Sequence, residues 1–206
     1  MKRENRLLKL LKEDLFLLVK MNLLFLAVSW PVITIPAALT AMMKISTERA
    51  RDREVFLFRD FMAYFRASFL TSLRTGLLFG ALFLLASYVH WAYGTAQSSS
   101  GLLIGILRGI SLVQMAVVYV MSCYVWVIEA VADLPFFEVV KRSFQLMLVY
   151  VRESFLCLLI GFGFFALELL LFPYSLSFFF LFGVSLWSHL VAWIAFPSVE
   201  KHIPLN

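Results

Sequence analysis

Between Ile110 and Ile128 the chain carries no Asp, Glu, Lys, Arg or His, and from Ser175 to Phe196 the one such residue is His189. Further long apolar runs lie at Thr75–Trp91 and Ser154–Phe172. An uncharged stretch of about 18 residues or more is long enough to cross a hydrocarbon core of ~30 Å as a helix. The expected architecture is therefore all-α: a polytopic transmembrane helical bundle with a kinked N-terminal hairpin, four further spans and cytosolic amphipathic surface helices. Residues 1–206 form a single integral membrane domain.

Composition agrees with this class. The chain is 62% hydrophobic with 22 Phe, and 15% of its residues are charged, against roughly 25% in soluble domains. The net charge of +5 does not point to nucleic acid, because the basic residues lie between apolar spans. They read as topology signals and as contacts with anionic lipid headgroups. Cys123 and Cys157 both fall inside spans, which suits buried thiols rather than a disulfide framework. Ala27-Val28-Ser29 has the small–x–small form of a processing site. However, Glu13, Asp14 and Lys20 precede it and Pro31 follows, so the segment is read as retained.

Five apolar stretches stand out: Leu15–Met43, Thr75–Trp91, Gly109–Ile128, Ser154–Phe172 and Tyr174–Phe196. Between them, Met1–Asp14 carries five Lys/Arg, Lys44–Ser68 six, Glu129–Glu153 three, and the tail Lys201, whereas Ala92–Gly101 carries none. Cytoplasmic loops are rich in Lys and Arg. If residues 15–43 go in and come back, all fifteen of these charges lie inside, with Arg108 at the outer edge. Trp30-Pro31 and Ile35-Pro36 suit such a reversal, because proline removes a donor and biases its predecessor away from helical geometry. The reading adopted is a kinked hairpin, full or re-entrant; the alternative is one tilted span with the amino terminus outside. With the hairpin, both termini of this multi-pass protein face the cytosol.

The pattern Tyr-x-Arg-x-Ser-Phe-Leu occurs twice, at Tyr64–Leu70 and Tyr150–Leu156. Each copy precedes an apolar pair and follows amphipathic sequence, Val55–Phe65 and Phe136–Leu148, suited to a helix lying at the membrane interface. The basic segment Arg3–Lys12 stands in the same position before the first hairpin. This outlines three units, 1–43, 55–128 and 136–197, each a surface helix followed by a hairpin. Convergent interface chemistry is the competing reading of the shared pattern.

Ionisable groups within spans are costly and mark functional candidates. Glu168 lies near the outer end of its span, level with His90 and Arg108, so a Glu168–Arg108 pair with His90 beside it would form an outward-facing polar site. The plainer reading is a carboxylate reaching the headgroup zone. His189 sits near the middle of the last span, suited to proton relay or to a hydrogen bond within a helix interface. Glu129 and Asp133 close the third span, with Lys141 or Arg142 as expected partners for Glu129. Asn22 is placed to hydrogen-bond the broken backbone after Trp30. The glycines Gly76/Gly80 and Gly101/Gly105/Gly109 recur every four residues, a spacing that lets helices pack closely. The sequence shows no zinc-type histidine pair, Walker-type loop, Gly-x-Ser-x-Gly or Cys-x-x-Cys. No catalytic residue, metal or cofactor is therefore expected.

Met21-Asn22-Leu23-Leu24-Phe25 followed by Trp30-Pro31-Val32-Ile33-Thr34-Ile35-Pro36-Ala37-Ala38-Leu39-Thr40-Ala41-Met42 resembles the opening of the YesL-like family of bacterial membrane proteins. Arg59-Asp60-Phe61-x-x-x-Phe65-Arg66-x-Ser68-Phe69 resembles that family's next segment. The likeness is concentrated in about the first 75 residues, and Phe25 and Pro36 stand where Trp and Gly are typical. It implies a membrane protein of unassigned activity with an accessory role in carbohydrate uptake, and brings no catalytic residues with it.

Two functions follow as expectations. One is a non-enzymatic accessory protein whose basic residues Arg59, Arg66, Lys141, Arg142 and Arg152 face transporter subunits, a second copy of the chain, or lipid. The other is a small secondary transporter or channel that uses Glu168, Arg108, His90 and His189 as its intramembrane polar site.

Overall fold

The computed structural model describes residues 15–51, 53–95 and 101–203. Among these residues the structure is helical nearly throughout and contains no strand. The order is α1 (Leu15–Val28), a 3-10 turn (Val32–Thr34), α2 (Ile35–Ala50), α3 (Leu57–Thr95), α4 (Gly101–Val131), α5 (Phe136–Val149), α6 (Val151–Leu170) and α7 (Ser175–His202). The four helices α3, α4, α6 and α7 are long and apolar enough to cross a membrane. The expected surface segment Arg3–Lys12 lies outside the described residues.

The N-terminal stretch reverses direction. Met21 and Phe25 of α1 share one core cluster with Ala38, Ala41, Met42 and Ile45 of α2. A single kinked span would carry these two sets apart, so the hairpin is what forms. The turn follows from its residues. Pro36 occupies the first turn of α2, where a missing N–H costs nothing. Thr34 Oγ1 lies 2.6 Å from both Val28 O and Pro31 O, satisfying carbonyls that the break in the helix frees. At 14 residues, α1 is about 21 Å long, short of the ~30 Å core.

Asn22 does not reach the backbone after Trp30; Thr34 fills that role. Its partner is α7, whose residues Phe179–Gly183 form a π-helical segment. The fully buried Asn22 amide donates from Nδ2 to Phe179 O (3.0 Å) and Phe180 O (2.7 Å). Its Oδ1 accepts from Ser185 N at 3.0 Å. A widened helical turn disrupts the i→i−4 ladder, and an apolar environment supplies no water to repair it. The side chain of α1 makes that repair, and in doing so ties the first helix to the last.

The core is centred on the second half of α4, where Cys123, Tyr124, Val125, Val127 and Ile128 are fully buried and pack with Val191, Ala192, Ala195 and Val199 of α7. The glycines divide. A Cβ on Gly76 would overlap Pro36 of α2, and one on Gly161 would overlap the Tyr119 phenol, so both mark close helix approaches. By contrast, a Cβ on Gly80, Gly101, Gly105 or Gly109 would meet nothing within 4 Å, and the expected close helix approach at the last three is not made among the described residues. Elsewhere α3, α4 and α6 turn large apolar side chains outward, among them Leu84 (70% exposed), Leu102 (82%) and Leu170 (80%). Apolar faces of that extent suit a hydrocarbon solvent rather than water.

The expected surface helices take two forms. Phe136–Val149 is a separate helix, ended at Tyr150 by a non-helical backbone. Val55–Phe65 does not form a separate helix, because Leu57 onward runs without a break into α3. The two copies of the repeated pattern therefore differ: Tyr64–Leu70 lies inside one helix, while Tyr150–Leu156 spans a helix break.

Candidate functional site

The bundle has two polar ends. At one, α2 runs out through a set of interlocked charges. Glu48 is buried and meets Arg53 Nη1 at 2.9 Å, Arg51 Nη1 at 3.7 Å and Lys44 Nζ at 4.0 Å. Arg51 also reaches Glu200 at 4.0 Å and stacks over Phe196, which joins α2 to the end of α7. Arg142 pairs with Glu138 at 2.9 Å and reaches the His202 carbonyl at 3.3 Å. Tyr150 Oη lies 3.1 Å from His202 Nδ1.

A cavity of about 430 Å³ opens at this basic end, between α2, α3, the end of α4 and the start of α5. Four charged side chains line it: Lys44, Arg74, Glu129 and Asp133. Tyr64, Thr71 and Thr40 add hydroxyls, and Leu134, Pro135, Phe136 and Val139 make an apolar wall. The Glu129 carboxyl is not joined to Lys141 or Arg142. It faces the hydroxyls of Thr40, Ser72 and Thr75, with Thr40 Oγ1 at 3.4 Å. Ser72 Oγ donates to Thr40 Oγ1 at 2.8 Å, which extends the hydroxyl set. Among the described residues Glu129 makes no ion pair, and neither does Arg74. Lys44 stands on the polar half of α2, outside the four spanning helices. Burial holds its ammonium below the ordinary lysine range, against the opposing pull of Glu48.

This cavity escaped the sequence reading, although part of its signal was there. Ser68, Thr71, Ser72 and Thr75 recur at helical spacing just before the apolar run of α3, with Arg74 among them. That pattern marks one polar stripe on an otherwise apolar helix. Its partners Thr40, Lys44 and Glu129 come from two other helices, so the cluster exists only after packing.

At the opposite end, His90 of α3 and Arg108 of α4 each reach the other's helix. His90 Nδ1 lies 2.9 Å from Ser111 Oγ. The Arg108 guanidinium lies over Gly94, 3.6 Å from where a Cβ would stand. No ion pair links Glu168 to Arg108 among the described residues; the Glu168 carbonyl accepts from Ser175 Oγ at 3.0 Å. His189 is buried in the helix interface, with Nδ1 at 3.1 Å from Ser46 Oγ, which itself lies 3.4 Å from Ser188 Oγ. Of the basic surface residues, Arg59 pairs with the adjacent Asp60 at 3.1 Å, while Arg66, Lys141 and Arg152 are exposed. Among the described residues no group of three or more His, Cys, Asp and Glu side chains is placed to hold a metal ion.

The fold and its polar ends thus define a helical membrane-protein bundle with a mixed-charge cavity at its basic end. Residues 18–90 match the model of a family described as "Protein of unknown function, DUF624", to which YesL-like proteins belong. The match covers α1 from Leu18, α2 and most of α3, and so takes in Asn22, Thr40, Lys44, Ser72, Arg74 and Thr75; Glu129 and Asp133 lie beyond it. No curated protein and no solved structure matches the chain.

Proposed function

We propose that this chain is a YesL-like accessory protein of the bacterial cytoplasmic membrane. It has no chemistry of its own, serves carbohydrate uptake, and acts through its basic end. That end faces the cytosol, with both termini inside, since positive charge is retained on the cytoplasmic side. The observation that carries the reading is the make-up of this end. Exposed Arg53, Arg59, Arg66, Lys141 and Arg152 stand with the exposed aromatic rings of Phe58 (71%) and Phe137 (84%). Arg and aromatic side chains together are the residue types that anchor protein interfaces. Pull-down of the full chain in gentle detergent, with mass spectrometry of what accompanies it, tests the reading. Recovery of sugar-transporter subunits that is lost in Arg59→Glu and Lys141→Glu is the expected result. Recovery of the chain alone, in wild type and variants alike, counts against it.

A second reading, a small secondary transporter, draws on the buried polar residues Asn22, Ser46, Ser185, Ser188 and His189 inside the bundle. It requires that His189→Ala or Glu168→Gln abolish solute flux in reconstituted vesicles. Unchanged flux in both variants would remove its basis.

A further inference from the structure

The cavity at the basic end carries a more specific assignment, which goes beyond the accessory reading and does not depend on it. We propose that the cavity between α2, α3, α4 and α5 binds a phosphoethanolamine group, with its ammonium on Glu129 and Asp133 and its phosphate on Arg74 and Lys44.

Three observations carry this. First, the cavity, about 430 Å³, falls in the range of roughly 300–1,000 Å³ typical of small-ligand sites. Second, its lining is mixed in sign, with two cations and two carboxylates. A purely anionic ligand would leave Glu129 without a counter-charge and a purely cationic one would leave Arg74 so, whereas a zwitterion answers both. Third, the two groups that would make the key contacts are uncommitted. Glu129 is met by hydroxyls and makes no ion pair among the described residues. Hydroxyls solvate a carboxylate but do not neutralise it, and a carboxylate near the end of a membrane helix is costly without a cation. Arg74 likewise makes no ion pair among the described residues, and its planar fork suits two phosphate oxygens at once.

The chemistry also chooses among amines. A primary ammonium has three N–H donors for Glu129, Asp133 and the Thr40 hydroxyl. A quaternary ammonium has none and favours a cage of aromatic rings, of which this lining supplies Tyr64 and Phe136. The apolar wall of Leu134, Pro135, Phe136 and Val139 runs beside the polar floor. A lipid headgroup entering from the bilayer would lay its glycerol and chain roots against that wall. The same contacts would accept a free phosphoethanolamine from water.

Native mass spectrometry of delipidated full-length protein, titrated with phosphatidylethanolamine, phosphatidylglycerol or phosphatidylcholine, tests the assignment, alongside calorimetry with soluble phosphoethanolamine. The expected result is preferential retention of phosphatidylethanolamine, reduced at least about tenfold in Glu129→Gln and in Arg74→Gln. That loss is about 1.4 kcal/mol by the standard affinity relation. Tight binding of soluble phosphoethanolamine, lost in the same variants, would support the chemistry and assign the site to a soluble source. Arg74 is exposed, so its variant keeps the test open if Glu129→Gln fails to fold. Equal retention of all three lipids without binding of the soluble group, or binding unchanged in both variants, would overturn the proposal.

Discussion

Replacing Asn22 with Leu should loosen the whole bundle rather than its first helix alone. The side chain is fully buried and makes three hydrogen bonds of 2.7–3.0 Å, two to the backbone of the π-helical segment of α7 and one to that of Ser185, two residues beyond it. Measured hydrogen bonds inside membrane bundles average ~0.6 kcal/mol, which sets a floor of about 2 kcal/mol for the three together. Leaving the Ser185 N–H without this acceptor, in a setting with no water to replace it, adds about 1–3 kcal/mol. The expected loss is about 3–5 kcal/mol. Asn22→Asp should also destabilise despite its near-identical shape, since an ionised carboxylate has no proton for the Phe179 and Phe180 carbonyls and a protonated one has a single O–H for the two. Unfolding of the purified protein in mixed micelles by SDS titration, followed by far-ultraviolet circular dichroism, gives the difference directly. A loss under ~0.5 kcal/mol for Asn22→Leu, or an Asn22→Asp variant as stable as wild type, would refute the reasoning.

The glycines give a paired test. Gly76→Ala should destabilise by about 1–3 kcal/mol because its Cβ would overlap the rigid Pro36 ring. Gly80→Ala, four residues along the same helix with nothing within 4 Å, should be neutral or stabilising by up to ~1 kcal/mol; thermal denaturation of both variants checks the contrast. Glu48→Gln leaves Lys44, Arg51 and Arg53 facing one another and should lower the melting temperature, an effect reduced by salt. The same unfolding assay at low and high ionic strength measures it. Gly161→Leu should disturb the hydrogen bond from Trp187 Nε1 to Tyr119 Oη at 2.9 Å, seen as a change in tryptophan emission, whereas Gly163→Leu, with open space around it, should not.

What the sequence disclosed and what it withheld divide along a physical line. Spans are set by local composition, so the charge-free run ending at Ile128 and the one after Ser175 place two long helices without knowledge of their neighbours. Pro31 and Pro36 likewise carry the reversal in their own backbone chemistry. Contacts between distant segments are another matter. Asn22 meets a backbone 157 and 158 residues away, and nothing near Asn22 indicates that α7 widens at Phe179. Glu129 was visible as a charge at the end of a span, but its hydroxyl partners come from α2 and α3. Conversely, the Glu168–Arg108 pairing assumed that residues at equal depth are neighbours; α4 and α6 do approach closely, but at Tyr119 and Gly161, and contact at one level of two helices does not pair the side chains at another. The continuity of α3 from Leu57 through Phe65 is a related case: an amphipathic stretch without a strong breaker before the next span has no local reason to stop.

The central claim is that the mixed-charge cavity lies at the cytosolic end of a multi-pass bundle. The most direct test places single cysteines at Thr71, on the cavity wall, and at Gly94, at the opposite end, in a background with Cys123 and Cys157 replaced by Ala. A membrane-impermeant maleimide is then applied to right-side-out and inside-out vesicles. Labelling of Thr71→Cys confined to inside-out vesicles, and of Gly94→Cys confined to right-side-out vesicles, is the predicted result. Labelling of both positions from one side, or the reverse assignment, would contradict the account.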